Sequence, residues 1–308
     1  MFLPGQPVSK EIKMTANPIF RGAATALITP LTETGVDYDA FARLIDWQIE
    51  QGIDALVIAG TSGEGSTLSD EEHREVLKFA YEQINKRVPA IAGTGSNDTA
   101  YAVSLTKFAS DLGYEGMLVV TPYYNKATQK GLVAMYNTIA EASAAPLIAY
   151  NVPSRTGVNI EPATYAELAK NPKITTIKEA NSNISKIVET FQLVGDKMEI
   201  LSGNDDQIVP LMSLGGSGVI SVLSNLMPKE TAELCHKALN GDIAGAAKMQ
   251  LDYLPLINAL FCETNPIPVK AAMAAMGFCK NIVRLPLTPM EKDHEEKLLA
   301  LMKEQNLI

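Results

Sequence analysis

Five side chains of this 308-residue chain have the chemistry for covalent work on a carbonyl compound: Lys178, Tyr150, Thr61, Tyr124 and Arg155. An amine attacks a ketone only as the neutral base, and an enclosed, low-dielectric space favours that form of a lysine. Lys178 stands in the segment Ile174-Thr175-Thr176-Ile177-Lys178-Glu179-Ala180. A period of two puts Ile174, Thr176, Lys178 and Ala180 on one strand face and Thr175, Ile177 and Glu179 on the other. If the first face points into an enclosed core, Lys178 is a candidate Schiff-base lysine. If not, it is an ion-paired or solvated lysine at a strand end. Spacing alone leaves both readings open.

The other candidates divide in the same way. A phenol shuttles protons at neutral pH only with hydrogen-bonded partners, because its ordinary pKa is near 10. Thr61 and Tyr124 could supply such a hydroxyl relay to Tyr150. Taken singly, each is an ordinary structural or rim residue. Ser62, in the glycine-rich run Gly60-Thr61-Ser62-Gly63-Glu64-Gly65, could hold a small carboxylate, above all at a helix N-terminus. Arg155 can grip a carboxylate through two parallel hydrogen bonds, or can be a surface arginine. Asp205 and Asp206 are adjacent carboxylates. They do not make a complete hard-metal site, and capping of a helix start is the plainer role.

These residues must be positioned by a scaffold, and the apolar pattern supplies one. Short apolar runs read as buried strands at Ala23 to Ile28, Ala55 to Ala59, Ala90 to Gly93, Met117 to Thr121, Leu147 to Asn151, Thr175 to Glu179, Met198 to Ser202 and Gly218 to Val222. Near-continuous apolar strands are typical of parallel sheets covered by helices. Helical spacing fills the gaps, at Asp37 to Glu50, Asp98 to Ser110 and Gln129 to Ala142, and Ser69-Asp70-Glu71-Glu72 is a capping box. After the last strand come four helical stretches: Lys229 to Leu239, Asp242 to Phe261, Val269 to Met276 and Lys292 to Glu304. The pattern predicts either a doubly wound sheet or a closed (β/α)8 barrel with an appended C-terminal helical region. The divisions are residues 1–19 as an N-terminal extension, 20–228 as the barrel, and 229–308 as the helical region that includes the end of the barrel. In a parallel barrel the carboxyl ends of the strands converge on one mouth. Those ends carry Thr61, Tyr124, Tyr150, Lys178 and the Ser202-Gly203-Asn204-Asp205-Asp206 turn.

Bulk properties exclude other classes. Lys plus Arg is 26 against 35 Asp plus Glu, a net charge of −9, which disfavours nucleic acid as a partner. No apolar run approaches the roughly 20 residues needed to span a bilayer. The first residues lack the basic-then-apolar order of an export signal, so the expected location is cytoplasmic. Met14 is a candidate alternative start. The three cysteines, Cys235, Cys262 and Cys279, are sparse and all fall in probable helices, so they read as reduced thiols. His73, His236 and His294 form no zinc pattern, and no metal is expected. Neither glycine-rich loop fits a dinucleotide fingerprint.

Several segments, taken together and in order, resemble the dihydrodipicolinate synthase family, pyruvate-dependent class I aldolases that also include N-acetylneuraminate lyase. They are Gly60-Thr61-Ser62-Gly63-Glu64, Thr121-Pro122-Tyr123-Tyr124-Asn125-Lys126, Tyr150-Asn151-Val152-Pro153-Ser154-Arg155-Thr156-Gly157, Ile177-Lys178-Glu179-Ala180, Gly218-Val219-Ile220-Ser221-Val222 and Asn265-Pro266-Ile267-Pro268-Val269-Lys270. The resemblance runs from about residue 20 to about residue 300.

That resemblance implies the TIM barrel as the fold. It further implies that Lys178 forms an imine with pyruvate, that Tyr150 transfers protons, and that Thr61 and Tyr124 are its relay partners. By the same likeness, Thr61 and Ser62 bind the pyruvate carboxylate, and Gly203 and Ile220 line the pocket. Arg155 engages the carboxylate of L-aspartate 4-semialdehyde and separates the synthase from its sugar-acid relatives. The implied product is 4-hydroxy-tetrahydrodipicolinate, on the route to diaminopimelate and lysine, with no cofactor beyond the covalent imine. One of Tyr123 and Tyr124 crosses into a neighbouring subunit, so the implied assembly is a homodimer or a homotetramer built as a dimer of dimers. A lysine-binding cleft would be made by Ser66, Asp70, His73, Asn97, Tyr101 and Tyr123. Lysine-sensitive members carry histidine where Asp70 stands and glutamate where Tyr101 stands, so weak or absent inhibition by lysine is expected. The alternatives are a related pyruvate aldolase acting on another aldehyde or sugar acid, and a barrel-shaped binding protein without catalysis.

Overall fold

In the computed structural model, residues 18–308 are described. Most of the N-terminal extension, Met14 included, lies outside the described residues. The eight strands are β1 (Gly22–Ala26), β2 (Ala55–Ile58), β3 (Ala90–Gly93), β4 (Gly116–Val120), β5 (Leu147–Asn151), β6 (Ile174–Glu179), β7 (Glu199–Ser202) and β8 (Gly218–Ser221). They pair in sequence order, all in parallel, and β8 closes on β1. Of the two architectures left open by the apolar pattern, the closed barrel is the one formed.

The outer layer comprises α1 (Tyr38–Glu50), α2 (Asp70–Ile84), α3 (Thr99–Leu112), α4 (Gln129–Glu141), the short α5 (Pro153–Thr156), α6 (Pro162–Leu168), α7 (Ile184–Val194), α8 (Ile208–Met212) and α9 (Pro228–Leu239). Local sequence explains their starts. The Asp37 carboxylate accepts from the Ala40 N–H at 3.0 Å. Ser69 and Glu72 make the expected reciprocal capping box at 3.0 and 3.2 Å. Each satisfies backbone donors that a helix start leaves orphaned. α2 turns His73, Val76, Leu77, Ala80 and Ile84 inward at helical spacing. α9 packs on β1 and β8 as the outer helix of the last β/α unit. Beyond it, α10 (Ile243–Leu260), α11 (Ile267–Ala275) and α12 (Lys292–Glu304) pack on one another. No helix among the described residues is long and apolar enough to cross a membrane.

The core has two parts. One fills the space between strands and helices; the other, which includes Val57, Ile148, Tyr150, Leu201 and Ile220, fills the barrel itself. The period-two reading of β6 holds from Thr176 onward but fails at its start. The register jumps from Leu147 opposite Ile174 to Ile148 opposite Thr176, a bulge that inserts one residue. The extra residue flips the alternation. Ile174 therefore joins Ile177 in the outer core and does not share the face of Lys178.

Only Cys235 lies in a helix; Cys262 and Cys279 sit in the turns after α10 and α11, where the apolar periodicity has already ended. All three are free thiols.

Candidate active site

Lys178 points into the barrel near its carboxyl-terminal end and is 5% exposed. Its neighbour across the ladder is Tyr150, 6% exposed, and the two residues are register partners. The Lys178 Nζ lies 4.1 Å from the centroid of the Tyr150 ring. A cation so placed is attracted by the ring face, and more strongly in a largely dry space. Gly203, at the end of β7, donates its N–H to the Glu179 carbonyl at 2.7 Å. A Cβ at Gly203 would stand 2.8 Å from the Ala180 Cβ and 3.2 Å from the Lys178 Cε, so a side chain there would crowd the lysine.

Asp205 does not cap the turn that it begins. Its Oδ2 accepts from the N–H groups of Val222 and Leu223, both at 2.9 Å, at the start of the turn that follows β8. Burial pushes its carboxyl above the ordinary range, and the Ser221 hydroxyl, the two N–H groups and the charge of Lys178 pull it back. The lysine thus has a buried acid in its electrostatic surroundings, which the sequence pattern did not disclose.

The loop after β2 brings Thr61 to the mouth and buries Ser62, 1% exposed. Helix α2 begins only at Asp70, so Ser62 sits in a run of turns and not at a helix N-terminus. The loop folds tightly onto β2: a Cβ at Gly65 would lie 2.3 Å from the Ala59 carbonyl oxygen. At Gly63 and Gly65 the missing side chain permits this close approach. The loop is also pinned from below. Glu64, 3% exposed, meets the fully buried Lys270 of α11 at 2.5 Å. Lys270 also donates to the Ile282 carbonyl at 2.6 Å, and the second Glu64 oxygen accepts from the Arg284 N–H at 3.1 Å. Burial lowers the Lys270 ammonium below its usual range against the opposing pull of Glu64.

Arg155, on α5, donates from Nη2 to the Asn265 carbonyl at 2.9 Å, which holds an otherwise exposed guanidinium at the mouth. Asn265 also donates from Nδ2 to the Ser62 Oγ at 3.0 Å. In the sequence Asn265 stands out only as the first residue of a motif. Its role depends on a contact 203 residues away, which local pattern does not carry.

A cavity of about 510 Å³ opens at this mouth. Thr61, Tyr123, Tyr150, Val152 and Arg155 line it, and so do Ser66, Asp70, His73 and Tyr101. The candidate catalytic mouth and most of the candidate cleft are therefore one continuous space. Lys178, Ser62, Gly203 and Ile220 are not among the residues that line it, although Lys178 adjoins Tyr150, which does. Asn97 is off the wall too, and its carbonyl accepts from the Asn125 Nδ2 at 2.9 Å.

Tyr124 is the one relay candidate that is not brought to the site. It is 89% exposed, at a backbone φ of 73°. The Asn125 N–H donates across it to the Tyr123 carbonyl at 3.0 Å, a tight three-residue turn. A bulky residue at positive φ is a strained exception.

His73 is buried and not on the helix surface. Its Nε2 pairs with the Gly93 carbonyl at 3.0 Å, and burial lowers its imidazole below the ordinary range. The Asp70 carboxylate takes the Arg74 Nε at 3.0 and 3.1 Å, and this pairing holds it below the usual carboxylate range. Burial and the nearby Asp70 charge raise the Tyr101 phenol.

The closed parallel barrel with a buried lysine and tyrosine at its carboxyl-terminal mouth defines a barrel enzyme of the Schiff-base-forming class. The chain belongs to the Dihydrodipicolinate synthetase family, which it matches over residues 19–305. It is 51% identical over 291 residues to the 4-hydroxy-tetrahydrodipicolinate synthase of Acetivibrio thermocellus, covering 94% of this chain and 99% of the relative. Among solved structures it is similar to the chloride-inhibited dihydrodipicolinate synthase of Acinetobacter baumannii complexed with pyruvate. That match has 44% identity and a TM-score of 0.91, over 94% of this chain and 99% of that one. It is also similar to the Cyanidioschyzon merolae enzyme with lysine bound, at 36% identity and a TM-score of 0.91, over 95% and 100% of the two chains.

Proposed function

We propose that the chain condenses pyruvate with L-aspartate 4-semialdehyde through an imine on Lys178, giving 4-hydroxy-tetrahydrodipicolinate. The observation that carries this reading is the buried Lys178 Nζ held 4.1 Å over the Tyr150 ring at the barrel mouth. The 51% identical synthase and the pyruvate-bound relative support it.

The lysine amine attacks the pyruvate carbonyl carbon, and the carbonyl oxygen leaves as water. Loss of a methyl proton then gives an enamine, with the iminium nitrogen as electron sink. The enamine carbon attacks the semialdehyde carbonyl. The amine of the incoming substrate closes the ring on the imine carbon and releases Lys178. Tyr150 carries protons in these steps. Thr61 is its relay partner within the chain. Tyr124 completes the relay in the site of a neighbouring subunit, which its outward position suits. Thr61 and Ser62 receive the pyruvate carboxylate and Arg155 that of the aldehyde, while Gly203 leaves the lysine room and Ile220 packs the barrel floor. A homodimer is the smallest complete unit on this reading, and a dimer of dimers is the natural tetramer.

Borohydride reduction in the presence of pyruvate tests the imine: a stable adduct at Lys178 is expected, absent in Lys178→Ala. A coupled assay with both substrates should show turnover in the wild type and none in that variant. Full turnover in Lys178→Ala would overturn the mechanism. An Arg155→Ala variant that traps pyruvate normally but needs far more semialdehyde would support the substrate assignment. Preference for a different aldehyde in direct competition would favour a related aldolase instead.

A further inference from the structure

We infer that Asn265 is a positioning residue that orients the Ser62 hydroxyl as a donor toward the pyruvate carboxylate. This rests on the proposed role of Ser62 and adds to it. A serine hydroxyl has one proton and two lone pairs. Asn265 Nδ2 donates to the Ser62 Oγ at 3.0 Å, which occupies a lone pair and leaves the proton for another acceptor. A carboxylate is such an acceptor. With the amide turned the other way, Ser62 would give its only proton to Asn265 Oδ1 and present lone pairs to the substrate anion.

Two observations show that the residue is placed for this contact. Asn265 is 4% exposed, yet its Oδ1 has no hydrogen-bond partner among the described residues. Buried polar atoms are nearly always paired, so an amide kept at this cost is kept for its other end. The same residue also accepts the Arg155 Nη2 at 2.9 Å, but through its main-chain carbonyl. One residue between α10 and α11 therefore touches both side chains proposed to receive substrate carboxylates. It touches Ser62 through its side chain and Arg155 through its backbone.

That division gives a selective test. Asn265→Ala removes the Ser62 contact and leaves the carbonyl for Arg155. Asn265→Asp keeps the shape but offers only acceptors, reproducing the turned amide. The expected result is a KM for pyruvate raised about five- to tenfold in Asn265→Ala, from the loss of one hydrogen bond. The rise in Asn265→Asp should be larger, while the KM for the semialdehyde stays within about twofold in both variants. In a Ser62→Ala background, adding Asn265→Ala should change the pyruvate KM no further, because the pair acts as a unit. Thermal unfolding of the near-isosteric Asp variant guards against a folding defect. An unchanged pyruvate KM would overturn the inference. So would an equal rise for both substrates, or additivity with Ser62→Ala. A wild type that forms no pyruvate adduct under borohydride would instead overturn the proposed function itself, and the two failures are read in separate experiments.

Discussion

Tyr150 and Lys178 are register partners on adjacent strands, with the amine poised over the ring and not end-on to the hydroxyl. Removing the hydroxyl therefore need not disturb the packing that buries the amine. Tyr150→Phe should still trap pyruvate under borohydride, while kcat falls by about 10²- to 10⁴-fold, the usual worth of a positioned proton carrier. Wild-type turnover in Tyr150→Phe would remove the phenol from the mechanism. Loss of trapping together with turnover would make its role one of binding.

Tyr124 stands 89% exposed on a strained turn beside the mouth. Strain of this kind persists where the surroundings or the function hold it. A residue acting in the neighbour's site predicts complementation. Tyr124→Phe and Lys178→Ala should each be nearly inactive. Mixing them under conditions that exchange subunits should restore activity, because a hybrid dimer holds one site with an intact Lys178 from one chain and an intact Tyr124 from the other. No recovery, despite subunit exchange verified by mass spectrometry, would mean that Tyr124 serves its own chain or none.

The cavity wall around Asp70 bears on regulation. A free carboxylate there would attract the ammonium of a lysine, but Arg74 already engages both Asp70 oxygens. Tyr101, on the same wall, is a phenol where the resemblance to lysine-sensitive relatives calls for a second acid. L-Lysine added at subsaturating pyruvate should inhibit weakly or not at all. Tyr101→Glu should increase sensitivity, since it places an unpaired acid beside the same space. Strong inhibition of the wild type at low lysine concentration would refute this account.

How far the sequence carried depended on the range of the interaction. The strands were legible because parallel strands covered on both faces are nearly continuous in apolar residues. Period two grouped Lys178 with Thr176 and Ala180 but did not say which of the two faces points inward. It misplaced Ile174, because the bulge opposite Leu147 and Ile148 is set by the neighbouring strand. The capping box at Ser69 is a four-residue signal and was fully readable. The burial of His73, whose Nε2 meets the Gly93 carbonyl of another element, depends on how α2 packs and is not encoded in local spacing. Asn265 and Lys270 act across more than two hundred residues, on Ser62 and Glu64, and no local spacing encodes such contacts.

Glu179 offers a prediction on the opposite face of the same strand. Burial pushes its carboxyl from the ordinary 4.5 up to about 7, against the pull of the Asn181 N–H, the Tyr165 hydroxyl and the Asn151 amide. These donors stand at 2.8, 2.9 and 2.9 Å. Between those two pH values the folded chain holds a proton that the unfolded chain has released. Stability must therefore fall as pH rises through that window, and above it the loss from this group is complete, at about 3 kcal/mol. His73 contributes the opposite slope, because burial lowers its imidazole and acid must force a proton onto it. The comparison that isolates Glu179 is with Glu179→Gln. The glutamine oxygen keeps its bonds to Asn151 and Asn181, and the Tyr165 hydroxyl can turn to accept from the new amide. Thermal unfolding between pH 5 and pH 8 should then show the variant gaining on the wild type as pH rises. Parallel curves for the two proteins would mean that Glu179 does not titrate in this range.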